Sequence, residues 1–193
     1  MRGVAVAMLC LVVAVTAMAA APATPMLKAG VYDPPRMAPD FSLQGSDGRE
    51  LKMSQHRGKV VLIAFGYSSC LAVCPTTLAT FAEARRRLGP AAANVQVIYV
   101  TVDPERDNVA QLKKYLGTFD STFLGGTGTA NQLAVVRKSY GITAEKVPAG
   151  DTYSYSHSSF TYLIDRAGRI RALMPYGHSP QDYVHDLTIL LEE

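Results

Sequence analysis

Cys70 and Cys74 stand four positions apart in Phe65-Gly66-Tyr67-Ser68-Ser69-Cys70-Leu71-Ala72-Val73-Cys74-Pro75. A deprotonated cysteine sulfur is both a nucleophile and a soft metal ligand, and the N–H groups and dipole of a helix N-terminus favour that deprotonated form. A C-x-x-C pair would point to thiol–disulfide exchange, and the extra residue leaves more freedom. If both cysteines were helical, their Cβ atoms would lie about 5 to 6 Å apart, beyond the roughly 3.5 to 4.5 Å that a disulfide prefers. Pro75 marks a helix start and leaves Cys70 in the loop before it, so the pair can close to a disulfide or open around a metal. Two thiolates with one added imidazole suit copper, whereas structural zinc takes four ligands.

Four histidines are available. His157 lies in Tyr153-Ser154-Tyr155-Ser156-His157-Ser158-Ser159, read as a polar loop entering a strand beside the cysteine strand. It is either a ligand or acid/base partner of the cysteines or a solvated loop histidine. His56 reads as an exposed turn residue, and His178 and His185 as surface or capping groups of the last helix. Asp103 and Asp107 follow the second long strand on the same sheet edge. They could stand behind the metal ligands or meet a basic partner; alternatively Asp103-Pro104 shapes a turn and Asp107 or Asn108 caps the next helix. Tyr67 either shields the site or fills the core. Arg85-Arg86-Arg87 falls at a helix end, where positive charge complements the dipole.

The elements that must position these groups follow from hydrophobic pattern. Residues 38–44 and 50–53 alternate about a Gly-Ser-Asp-Gly turn and predict a hairpin. Residues 60–65 and 95–102 are continuous apolar runs, as in strands buried on both faces. Residues 75–88, 108–119 and 130–140 predict helices. A second hairpin is expected at 160–165 and 170–174, and Ser179-Pro180 opens a last helix with Tyr183, Leu187, Leu190 and Leu191 toward the core. The order predicts an α/β domain, a mixed sheet with helices on both faces, with the cysteines at the C-terminal edge where ligands collect.

The chain has 193 residues, 48% hydrophobic and 18% charged, enough for one domain with a sizeable core. Met1-Arg2-Gly3 followed by the apolar run 4–21 reads as an export signal, cleaved or retained as an anchor, with Cys10 a small apolar residue inside it. Residues 22–37, with Pro22, Pro25, Pro34 and Pro35, read as a tether to a domain at 38–193. That domain holds only Cys70 and Cys74, and closing so short a loop would remove little chain entropy, so the pair is expected to serve chemistry. A net charge of +3 gives no argument for nucleic acid.

The motifs F-G-Y-S-S-C-L-A-V-C-P-T-T-L at 65–78, V-T-V-D-P-E-R-D at 100–107 and S-H-S-S-F-T-Y-L-I-D at 156–165 resemble the Sco/SenC family of copper-handling proteins. The likeness runs from about Ala38 to the C-terminus. It implies a thioredoxin-like fold with an N-terminal β-hairpin extension, and a metallochaperone that binds one copper, Cu(I) or Cu(II), through Cys70, Cys74 and His157. It implies service to the dinuclear copper site of cytochrome c oxidase. The partners would be the copper-site subunit, a copper donor protein and a thiol reductant, met in the bacterial periplasm or at its inner membrane if residues 4–21 are retained. The chain departs from the family at Leu71-Ala72, where many members have Pro-Asp, and at Ser69, where histidine or threonine is common; the departure concerns any docking or tuning by that carboxylate.

Two other classes compete. A thiol:disulfide oxidoreductase would use Cys70 and Cys74 as attacking and resolving thiols to reduce the target's copper-ligand cysteines. A peroxidase would share the Ala-Pro-Asp-Phe start, but needs a base and a threonine or arginine arrangement that the sequence does not display.

Overall fold

The computed structural model describes residues 26–193. Expectations on residues 1–25, the export segment and Cys10 among them, lie outside the described residues. In chain order the elements are β1 (Gly30–Met37), β2 (Ser42–Gly45), β3 (Glu50–Lys52), β4 (Val60–Gly66), α1 (Val73–Leu88), β5 (Val95–Thr101), α2 (Val109–Gly117), β6 (Leu124–Thr127), α3 (Ala130–Ser139), β7 (Ala144–Ala149), β8 (Thr152–His157), β9 (Phe160–Ile164), β10 (Arg169–Pro175) and α4 (Pro180–Glu192).

The two apolar runs form the centre of an eight-stranded mixed sheet, ordered β1-β10-β9-β4-β5-β6-β2-β3. Every residue of β4 and β5 is buried, as a strand covered on both faces requires. β4 runs parallel to β5, with Gly66 opposite Thr101 and Ala64 opposite Tyr99, and antiparallel to β9. The predicted β2–β3 hairpin closes the far edge by pairing with β6. Among the helices, α1 and α4 pack together through Phe81 and Tyr183, whose rings stand 5.1 Å apart, while α2 lies on β6. Gly125 permits that approach, because a Cβ there would sit 2.9 Å from Leu112 Cβ.

Three expectations need correction. Within the tether expected at 22–37, residues 30–37 form β1, an edge strand on β10. Prolines argue against a strand, but here the register shifts between Val31 and Arg36, so Pro34 and Pro35 sit in an edge irregularity where a missing N–H is harmless. Just before β1, the backbone N–H groups of Lys28 and Ala29 bond the carboxylate of the wholly buried Asp186 in α4, at 2.8 and 2.9 Å. Secondly, the expected loop around His157 is strand β8, paired with β7 in a separate two-stranded sheet. Thirdly, His56 is half-buried at the end of a 3₁₀ turn, with Nε2 buried and unpartnered; burial first, and then Lys59, pull its pKa below the ordinary value. Strand β6, only Leu-Gly-Gly-Thr, has no sequence signature and was not anticipated.

The Arg85–Arg87 cluster is structural. Arg85 is buried and bonds Asp120 at 3.0 Å and the Ala92 carbonyl at 2.7 Å, while Arg86 and Arg87 pair with Glu83.

Candidate metal centre

Helix α1 begins at Val73, two residues before Pro75, which puts Cys74 in its first turn and leaves Cys70 in the loop after β4. The N-cap residue, Ala72, offers no side-chain acceptor, so the first N–H groups of the helix need one from elsewhere. Cys70 Sγ supplies it, receiving the Cys74 N–H at 3.5 Å. Burial opposes ionisation of Cys70, but the backbone N–H groups of Cys74, Ala72 and Val73 outweigh it, and the pKa falls below the ordinary thiol value. Cys74 is only 3% exposed. Burial there pushes the thiol up to about 12 against the opposing influence of Tyr99. Both cysteines are free thiols, one half-exposed and one buried.

His157 is the last residue of β8, and β9 carries the chain onward beside β4. Its Nε2 lies 3.8 Å from Cys74 Sγ. Its Nδ1 lies 2.8 Å from the Ser158 carbonyl oxygen, which can only accept, so Nδ1 carries the proton and Nε2 presents its lone pair toward the sulfur. Burial lowers the His157 pKa despite the Ser158 carbonyl, favouring that neutral form. This is the tautomer that a metal-ligating histidine takes when a carbonyl holds its other nitrogen. The cavity between Cys74 and His157 measures about 10 Å³, about the least that admits a water. Among the described residues no group of three histidine, cysteine or carboxylate side chains is drawn closely enough to hold an ion as it stands. The donor set fits copper.

The two aspartates are wholly buried and serve the loops around the site. Asp107 accepts the Ser68 N–H at 3.0 Å, the Ser68 hydroxyl, and the Thr101 hydroxyl at 2.6 Å, fixing the segment two residues before Cys70. The cap of α2 is Asn108, which accepts the Gln111 N–H at 2.9 Å. Asp103 pairs with Arg106 and accepts the Tyr153 hydroxyl at 3.0 Å. Neither carboxylate is open to a basic partner. Arg106 also donates to the Tyr153 carbonyl at 3.1 Å and lies 3.9 Å from the Tyr153 ring centre, which rivets β8 to the loop after β5. Tyr67 is 5% exposed, bonds the Tyr155 N–H through its hydroxyl at 3.3 Å, and stands edge-on to the His157 ring at 5.9 Å. It is therefore both core and wall of the site.

Sequence reading missed Arg106, Tyr153, Ser68 and Tyr99. Tyr153 could have been found: Tyr-Ser-Tyr-Ser-His alternates with the period of a strand. His178 and His185 pair with Asp182 and Asp186 at 3.5 and 2.8 Å, apart from the cysteines.

With this geometry in hand, the SCO1/SenC family model matches residues 30–192. An SCO2-like protein of Rickettsia felis is 32% identical over 151 residues, covering 77% of this chain and 74% of that one. The mitochondrial SCO2 homolog of Bos taurus is 37% identical over 133 residues, 67% of this chain and 50% of the bovine protein. Among solved structures, Bradyrhizobium japonicum ScoI with copper bound is 36% identical with a TM-score of 0.75, covering 80% of this chain and 99% of that chain. Yeast Sco1 with copper bound is 28% identical with a TM-score of 0.73, covering 82% and 90%.

Proposed function

The chain belongs to the SCO1/SenC family, and from that premise we propose that it is a copper metallochaperone, holding one copper ion as cargo on Cys70, Cys74 and His157 for the dinuclear copper site of cytochrome c oxidase. The observation that carries the reading is the approach of His157 Nε2 to Cys74 Sγ at 3.8 Å with Nδ1 committed to the Ser158 carbonyl. A neutral imidazole aimed at a cysteine pair is a donor set suited to copper, and two solved relatives carry bound copper. The two thiolates favour the cuprous ion and the imidazole helps accept the cupric one. Cargo would arrive from a copper donor protein and leave by ligand exchange with thiolates and imidazoles of the oxidase subunit. Residues 1–21 are proposed as the export segment that places the domain in the periplasm. No helix among the described residues is long and apolar enough to cross a membrane.

The test is an anaerobic Cu(I) titration of the reduced protein against a competing chelator, with Cys70→Ala, Cys74→Ala and His157→Ala in parallel. One copper per chain, weakened by each substitution, is expected. A folded wild type that binds no copper refutes the reading.

A second reading, a thiol:disulfide oxidoreductase, is favoured by the inequality of the two thiols. The half-exposed Cys70, with its lowered pKa, is suited to attack a target disulfide, expelling one target thiolate and forming a mixed disulfide. Cys74, losing its proton, then attacks the Cys70 sulfur, releases the second target thiolate and leaves the Cys70–Cys74 disulfide for a thiol reductant to open. Reduction of an oxidised copper-site peptide by the wild type, with Cys74→Ala trapped as the mixed disulfide, distinguishes this activity from copper delivery.

A further inference from the structure

Tyr99 is buried at 1% exposure in the centre of β5, yet its hydroxyl has no hydrogen-bond partner. A buried hydroxyl left unpaired loses its water without replacement, and such groups in native proteins call for an explanation. The ring is accounted for by core packing against Tyr115, a task that phenylalanine would perform equally. The hydroxyl is not. Its position is fixed through Gly66, which lies near it across the β4–β5 ladder. A Cβ on Gly66 would fall 2.2 Å from the Tyr99 oxygen and 2.8 Å from Cys74 Sγ, so both atoms close on the same point. Glycine leaves that point open to both the orphaned donor and the sulfur.

We propose that the Tyr99 hydroxyl is a positioning residue for the metal site: it donates a hydrogen bond to the Cys74 sulfur once that sulfur has lost its proton and ligates metal. A neutral thiol is a weak acceptor, which explains why the hydroxyl is unpartnered beside the protonated Cys74. A thiolate is a strong acceptor, and hydrogen bonds to a ligating sulfur tune its metal. The hydroxyl and the sulfur already converge on the same open point at Gly66. The inference rests on the copper reading above, but concerns a residue outside the proposed ligand trio.

The test compares wild type, Tyr99→Phe and the control Tyr115→Phe, which removes the other orphaned tyrosine hydroxyl of the same cluster. In Tyr99→Phe the stoichiometry should remain one copper per chain, the Cu(I) dissociation constant should rise about tenfold, and the thiolate-to-Cu(II) absorption should move to longer wavelength. The metal-free Tyr99→Phe protein should melt no lower than wild type, because an unpaired buried hydroxyl has been removed, while its copper-induced rise in Tm shrinks. A purely structural tyrosine would lower the metal-free Tm and leave the absorption band in place. Tyr115→Phe should leave the band and affinity unchanged. An unshifted band with wild-type affinity in folded Tyr99→Phe overturns the proposal and leaves the copper reading intact. A Cd(II) titration read by its thiolate absorption runs alongside. Cadmium bound without copper refutes the copper reading, and Tyr99 is then judged on the cadmium band by the same shift. Binding of neither metal overturns both.

Discussion

Alkylation of the reduced, metal-free protein with iodoacetamide at pH 8 should fall on Cys70 long before Cys74, and the ratio can be worked from their surroundings. With its pKa pushed up to about 12, Cys74 has a thiolate fraction on the order of 10⁻⁴ at pH 8. Cys70 lies below its ordinary value, so its fraction exceeds the roughly one-tenth of an unperturbed thiol. Ionisation alone thus favours Cys70 roughly thousandfold. A more basic thiolate is intrinsically the better nucleophile, which returns roughly 20-fold to Cys74 over this span. The balance is roughly 50-fold in favour of Cys70, before the near-complete burial of the Cys74 sulfur adds its own obstruction. Peptide mass spectrometry of timed aliquots measures the two rates, and repetition in urea should bring them together. Rates within fivefold of each other in the folded protein would refute the account of Cys70 as acceptor of the helix N–H groups and of Cys74 as a desolvated thiol.

Other perturbations address the supports of the site. His157 and His56 are held below the ordinary imidazole pKa, chiefly by burial; the unfolded chain takes those protons first, so their contribution to stability is complete above about pH 6.5 and is lost as pH falls below it. The metal-free Tm should therefore drop between pH 7 and pH 5, and His157→Asn should flatten that drop; a parallel profile would contradict it. Asp107→Ala leaves the Ser68 N–H and the Thr101 hydroxyl without their acceptor in the interior, and urea denaturation should show a loss of about 3 kcal/mol. Gly66→Ala forces a methyl against the Tyr99 oxygen and Cys74 Sγ at a cost of about 2 kcal/mol, with copper affinity reduced as the sulfur is displaced; Tyr99→Phe should restore part of the stability because the 2.2 Å clash disappears while those with the sulfur and ring remain.

The central strands were legible because their burial on both faces leaves an unbroken apolar run, as in Val60-Val61-Leu62-Ile63-Ala64-Phe65. The last helix was legible from its cap, Ser179 accepting the Asp182 N–H at 3.3 Å. Strand β1 was not, since its prolines are tolerated only because it is an edge, and edge position is a property of the whole sheet. Strand β8 carried its period in Tyr153, Tyr155 and His157, but serines between them look like a loop when no partner strand is in view. At the site, the types and spacing of Cys70, Cys74 and His157 indicated their chemistry. Their inequality was not readable, because it depends on which sulfur meets the free N–H groups of α1 and which is buried in the core. Nor was Tyr99, whose ring is ordinary core and whose hydroxyl acquires meaning only through its distance from a sulfur brought by another element.

That inequality has a consequence for how cargo would be taken and given up. Cys70 is half-exposed, directly precedes Leu71, which is 96% exposed, and is the thiol closer to ionised, so on the proposed reading an incoming ion would meet it first. The second thiolate forms only when Cys74 gives up its proton in an interior of about 10 Å³, next to a neutral imidazole already oriented to accept the ion. On the proposed copper reading, capture would proceed from the exposed ligand inward and release protons, and a proton returned to Cys74 would oppose retention. Oxidation acts on the same two sulfurs: joining Cys70 to Cys74 removes two of the three ligands and leaves His157 alone, too little to hold cuprous copper. A site with two equivalent, exposed thiolates would bind readily and release poorly, whereas burial of Cys74 makes retention conditional on its proton and on the thiol state of the pair.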